Sequence, residues 1–197
     1  MISEKLQNLR KIFNPFIDLL IKLRITPNML TAFGFILAIV SGFLYSRGNF
    51  ILGAVILIIS AVNDTFDGQL ARRANLVSPF GAFFDSTTDR LNEAAVLMGI
   101  AYFFMTQWDF LFALITVAFL VFSIMVSYTR ARAEGLDIEC KKGIMGRVER
   151  VLLLIAVSFF SLNIFKYMLI LLTILTMATV IQRIMIVKFA IKSKEVV

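Results

Sequence analysis

Apolar positions run in long blocks broken by short polar stretches. Six blocks can be laid at about 28–46, 50–73, 81–105, 109–133, 148–165 and 167–190. A membrane-crossing helix needs about 20 such residues, so the pattern predicts six crossings. Breaks fall at Arg47-Gly48-Asn49, at Ala74–Phe80 with Pro79, and at Thr106–Trp108. The longest break is Glu134–Gly146, and a tight turn is expected near Asn163–Lys166. Connections this short make sequence neighbours into spatial neighbours. Ahead of the first block, Ile2, Leu6, Leu9, Ile12, Phe13, Phe16 and Ile17 recur near helical spacing, with Lys5, Arg10 and Lys11 between them. That reads as an interfacial amphipathic helix. The expected fold is an all-α polytopic membrane protein: an interfacial helix over 1–25, then a domain of six transmembrane helices over 26–197.

Composition narrows the class. Of 197 residues, 59% are hydrophobic and 17% charged, against roughly 45–50% and about 25% in soluble domains. A soluble enzyme, a disordered chain and a disulfide scaffold are all poor fits. One cysteine, Cys140, leaves no partner for an internal disulfide. The absence of histidine removes Ser/His/Asp triads, Cys/His dyads and His-ligated zinc. Any acid–base chemistry then falls to carboxylates. The net charge of +7 matters through its placement and does not call for nucleic acid. With six crossings, all Lys and Arg except Arg47 and Lys166 lie on the side of both termini. The positive-inside rule makes that side cytoplasmic, in a multi-pass protein of the cell membrane.

Against this background four aspartates stand out. Asp64 and Asp67 are spaced i,i+3 and so share a helix face, and Asp85 and Asp89 are spaced i,i+4 on the next segment. A short link makes the two segments antiparallel neighbours, so all four carboxylates converge near one interface. Acidic residues in membrane helices are costly and mark function. Such a group must be neutralised by a cation or shift its pKa values. An all-oxygen set suits Mg²⁺, with Mn²⁺ as a substitute, and four carboxylates can hold two ions. Two such ions suit a diphosphate substrate. Gly68, Gly81 and Ala71 form a low strip beside the aspartates where helices or a flat ligand can approach.

The run Asp64-x2-Asp67-Gly68-x2-Ala71-Arg72-x8-Gly81-x3-Asp85-x3-Asp89 resembles the signature of the CDP-alcohol phosphotransferase family at every fixed position. The resemblance implies a six-helix membrane core and a homodimer. It implies that Asp64, Asp67 and Asp85 bind metal, with Asp89 close enough to contact one ion. It also makes Asp89 the general base. Asp89 would deprotonate an acceptor hydroxyl, which attacks the β-phosphorus of a CDP-linked lipid and expels CMP. Gly68, Ala71 and Arg72 would hold the cytidine side, and Pro27, Asn28 and Thr31 resemble its further lining.

A second constellation runs Ser127-Tyr128-Thr129-Arg130-Ala131-Arg132-Ala133-Glu134, followed by Gly146-Arg147-Val148-Glu149-Arg150, with Arg183 near the chain's end. Guanidinium groups suit phosphate recognition, which implies a small polar acceptor that already carries phosphate. The stretch resembles the inositol-phosphate-accepting branch, in which Ser127, Arg130, Arg150 and Arg183 would hold that phosphate. The function implied is Mg-dependent transfer of a diacylglycerol- or archaeol-phosphate group to inositol 1-phosphate. Glycerol 3-phosphate or serine is the alternative acceptor. A more distant alternative is an intramembrane prenyltransferase, because Asn63-Asp64-x2-Asp67 also reads as NDxxD. The chain lacks that class's second acidic motif.

Overall fold

The computed structural model describes residues 14–140 and 143–195, and among them it is helical with no strand. The helices are α1 (Asn14–Lys22), α2 (Pro27–Ser46), α3 (Phe50–Arg73), α4 (Pro79–Thr106), α5 (Phe110–Glu134), α6 (Arg147–Val157) and α7 (Leu162–Glu195). Local chemistry sets several starts. Thr26 Oγ1 accepts from the Met29 amide at 3.3 Å, and Ser78 Oγ accepts from the Gly81 amide at 3.0 Å. Pro27 and Pro79 follow these caps, at the first helical position where a missing N–H costs nothing. Gly48 takes φ 78° in the tight link between α2 and α3, a conformation glycine reaches without a Cβ clash.

The all-α architecture holds, but the expectation of six transmembrane helices does not. Among the described residues, only α2, α3, α5 and α7 are long and apolar enough to cross a membrane. Helix α4 has the length, at 28 residues, but Asp85, Asp89, Arg90 and Glu93 interrupt its apolar run. Helix α6 has 11 residues, well short of the ~20 a crossing needs. The block read as 148–165 ends early because the chain turns at Ser158–Ser161. The expected turn at Asn163–Lys166 lies inside α7, which runs unbroken for 34 residues. Large apolar side chains face outward along the four long helices, including Phe33, Ile36, Val55, Ile59, Leu114, Val121, Ile174 and Ile181. With no partner inside the fold, that belt suits lipid and makes this a multi-pass membrane protein.

The interior is built on Leu57, Val96, Ile100, Phe104, Phe119, Leu154, Phe165 and Leu172. Helices α2 and α4 meet backbone to backbone. A Cβ added at Gly99 would strike the Gly42 carbonyl, and one at Gly42 would strike the Ala95 carbonyl. Small residues at such a crossing let two helices approach closely.

Of the predicted amphipathic segment, residues 1–13 lie outside the described residues. Its remainder forms α1, which buries Ile17 and Leu20 against Leu30 and Leu70. Arg73 donates twice to Asp18, at 2.6 and 2.8 Å. This pairing holds the Asp18 carboxyl below its usual range.

Candidate active site

Helices α3 and α4 are not the packed antiparallel neighbours expected from their short link: both pack against α2, which brings the end of α3 and the start of α4 together, and the acidic residues gather there. Asp64, Asp67 and Asp85 each bring a carboxylate oxygen to within 4.8 Å of the others. Helix α2 fixes the rotation of α3 that makes this possible. Thr31 Oγ1 donates to Asp67 Oδ2 at 2.7 Å, Asn63 Nδ2 to the Leu30 carbonyl at 2.6 Å, and Ser60 Oγ to the Gly34 carbonyl at 2.9 Å. A cluster of hard oxygens this tight fits a small divalent cation of the Mg²⁺ or Mn²⁺ type.

Asp89 is placed differently. It stands outside the three-carboxylate group and meets Arg147, whose Nη1 lies 2.7 Å from Asp89 Oδ1. The same nitrogen donates to Asp64 Oδ2 at 3.2 Å. Arg90 lies farther from Asp89, at 3.8 Å, and donates to the Ser86 carbonyl. In sequence Arg147 belongs to the guanidinium constellation suited to phosphate; in the structure it meets the aspartates instead. Nothing in the spacing shows that the first turn of α6 reaches back to the aspartates.

Pro27, Asn28, Thr31, Gly68, Ala71 and Arg72 all line one cavity of about 310 Å³, together with Asp67 and Asp85. The first turns of α2 and α4 contribute Asn28 and Gly81 to its wall. A second, apolar groove of about 450 Å³ runs between α3 and α6, lined by Ile58, Val62, Val148, Val151, Leu152 and Ile155, with Asp64 and Arg147 also on its wall.

The four residues expected at an acceptor phosphate are not equally free. Arg150 is 1% exposed and forks onto Glu93, with Nε to Oε1 at 2.8 Å and Nη2 to Oε2 at 3.1 Å. Nothing in the sequence pairs Glu93 with Arg150, which lies 57 positions away. Arg183 is buried and donates Nη1 to the Val126 carbonyl. Its Nε has no hydrogen-bond partner among the described residues. Arg130 is exposed and pairs with Glu134 at 2.9 Å, and Ser127, one residue past Val126, is half-buried.

A family model described as CDP-alcohol phosphatidyltransferase matches residues 24–186. The chain belongs to that family. It is therefore an enzyme of phosphatidyl transfer from CDP-alcohols. It is 40% identical to the archaetidylinositol phosphate synthase of Pyrococcus horikoshii, over 84% of this chain and 85% of that one. It is 35% identical to the phosphatidylinositol phosphate synthase of Cutibacterium acnes, over 72% and 70% respectively. Among solved structures, the Mycobacterium tuberculosis phosphatidylinositol phosphate synthase with CDP-DAG bound superposes with a TM-score of 0.84 at 27% identity, covering 90% of this chain and 94% of that one. The same enzyme in complex with manganese and citrate gives a TM-score of 0.83 at 27% identity, covering 88% and 87%.

Proposed function

We propose that the protein transfers a diacylglycerol- or archaeol-phosphate group from a CDP-linked lipid to a hydroxyl of inositol 1-phosphate and releases CMP. One arrangement carries this reading. Asp67 and Asp85 belong both to the three-carboxylate cluster and to the wall of the cavity that holds every residue expected on the nucleotide side. A diphosphate lying from that cavity toward Asp64 would meet the carboxylate-bound cation on its way. The apolar groove beside Asp64 suits a lipid tail of the donor. The relatives named as archaetidylinositol phosphate and phosphatidylinositol phosphate synthases support the acceptor.

Asp64, Asp67 and Asp85 would hold Mg²⁺, or Mn²⁺ in its place, as two ions with Asp89 beside them. When bound, the metal neutralises phosphate charge and polarises the reacting phosphoryl group. The protein's own groups do the rest. Gly68, Ala71, Arg72, Pro27, Asn28 and Thr31 seat the cytidine half. Asp89 takes the proton of the acceptor hydroxyl as its oxygen bonds to the β-phosphorus and the bond to CMP breaks. A carboxylate suffices for this because the alcohol proton is lost as the new bond forms. Arg183 Nε is a buried donor without a hydrogen-bond partner among the described residues, which suits an anion. With Ser127, Arg130 and Arg150 it would hold the acceptor phosphate. We place the site and both termini on the cytoplasmic side, where a soluble acceptor enters, and expect a homodimer.

The test is an acceptor panel with purified protein, Mg²⁺ and a CDP-lipid. CMP release with inositol 1-phosphate, and far less with glycerol 3-phosphate, serine or inositol, is the expected result. Release with glycerol 3-phosphate alone would overturn the acceptor. No metal-dependent release with any acceptor would overturn the site.

A further inference from the structure

Arg147 is the basic side chain that the acidic site itself engages most closely. Its Nη1 lies between Asp64, a proposed metal ligand, and Asp89, the proposed base. Its Nε is buried and has no hydrogen-bond partner among the described residues. The same side chain also lines two spaces. One is the apolar groove that contains Asp64. The other is a small, partly open chamber of about 30 Å³, mostly apolar, whose polar wall is Asp89, Asn92, Glu93 and Arg150. In that chamber Asn92 Oδ1 is likewise buried and without a hydrogen-bond partner among the described residues.

From this geometry we infer that Arg147 is the internal counter-cation of the acidic site: it bridges Asp64 and Asp89 before a divalent ion is bound, and it gives up Asp64 when the ion binds. The inference rests on the metal-site reading above. Several carboxylates this close repel one another, and one guanidinium touching two of them offsets part of that repulsion. A ligand oxygen engaged by Arg147 is less available to a cation, so the two compete. By linkage, whatever Arg147 loses to the ion the ion loses to Arg147. Arg147 sits at the first position of α6, where the backbone is anchored on one side only. Arg147 is thus a positioning residue, acting through Asp64 and Asp89.

The test is Mn²⁺ binding to the purified full-length protein without substrate, read by electron paramagnetic resonance of the free ion. The wild type should bind Mn²⁺, and Arg147→Gln should bind it about tenfold more tightly. Its melting temperature in EDTA should fall, because the repulsion is then uncompensated. Arg147→Lys, which keeps the charge, should return affinity to near the wild-type value. A merely structural arginine would leave affinity unchanged or weaken it, and either result in Arg147→Gln overturns the proposal. If that variant does not fold, the Arg147 side-chain Nε–H resonance of ¹⁵N-arginine-labelled wild type decides: saturating Mg²⁺ should shift it, and an unchanged signal rejects the idea. A wild type that binds no Mn²⁺ would sink the metal site itself, a separate outcome.

Discussion

The two ends of the helical bundle treat their polar side chains in opposite ways. At the end away from the aspartates, Lys166 donates to Asp109 at 2.5 Å and lies 4.8 Å from the Phe112 ring centre. Tyr45 pairs its hydroxyl with Ser158 at 2.8 Å. Phe50 packs edge-on against Tyr45, Phe103 and Phe165. At the aspartate end, carboxylates crowd together, and Asn92, Arg147 and Arg183 each bury a polar atom without a hydrogen-bond partner among the described residues. Each such atom costs about 1–3 kcal/mol. One end is satisfied and stabilises the fold. The other is held in a costly arrangement that ligands can relieve, as expected where function departs from local consistency.

The strongest way to break this contrast is to remove a carboxylate. Asp85→Asn should lower CMP release from a CDP-lipid by about a thousandfold or more, the worth of several kcal/mol of charge stabilisation. Its melting temperature without metal should hold or rise, because like-charge repulsion is relieved. A large loss of stability alongside the loss of activity would show that the aspartates hold the fold, and the contrast would fail. Next in size is the ion pair between Arg150 and Glu93, which sits at the functional end yet is fully paired. Arg150→Met should cost about 3–5 kcal/mol by stranding a buried carboxylate, and pairing it with Glu93→Gln should restore part of that. Melting in detergent reads both. A single variant as stable as the wild type would free Arg150 for a purely ligand-binding role. A smaller effect belongs to the helix crossing. Gly99→Ala pushes a methyl into the Gly42 carbonyl and should cost about 1–3 kcal/mol, with Mn²⁺ affinity unchanged in the protein that folds.

Much of the site was legible because its residues sit on two helices joined by a short link, although these helices are not the packed neighbours expected: both lie against α2 instead. Helical spacing alone puts Asp64 with Asp67, and the link brings Asp85 to them. Pro27, Asn28 and Thr31 needed a family resemblance, since a helix start looks the same whether or not a cavity adjoins it. Arg147 and Glu93 were out of reach because their partners, Asp64, Asp89 and Arg150, lie 57 or more positions away. The helical class was plain from the apolar blocks. The number of crossings was not. Hydrophobic block length was read as span length, yet the charges within α4 and the turn at Ser158–Ser161 divide those blocks differently.

The smallest expected effect tests the satisfied end. The Lys166 ammonium and the Phe112 amide hold the Asp109 carboxyl below its usual value of 3.8. A carboxyl depressed in the folded state contributes stability above its unfolded pKa, and loses it as pH falls through the lower folded value. Asn at 109 keeps a cap for the Phe112 amide but lacks the charge. At pH 7, Asp109→Asn should therefore be less stable by about 0.5 kcal/mol, the usual size of a partly exposed pair. Melting curves of the two proteins should converge once the pH drops below the carboxylate range. A gap that persists unchanged at low pH would mean that Asp109 acts through packing or capping alone, and that the far end owes its stability to the aromatic cluster.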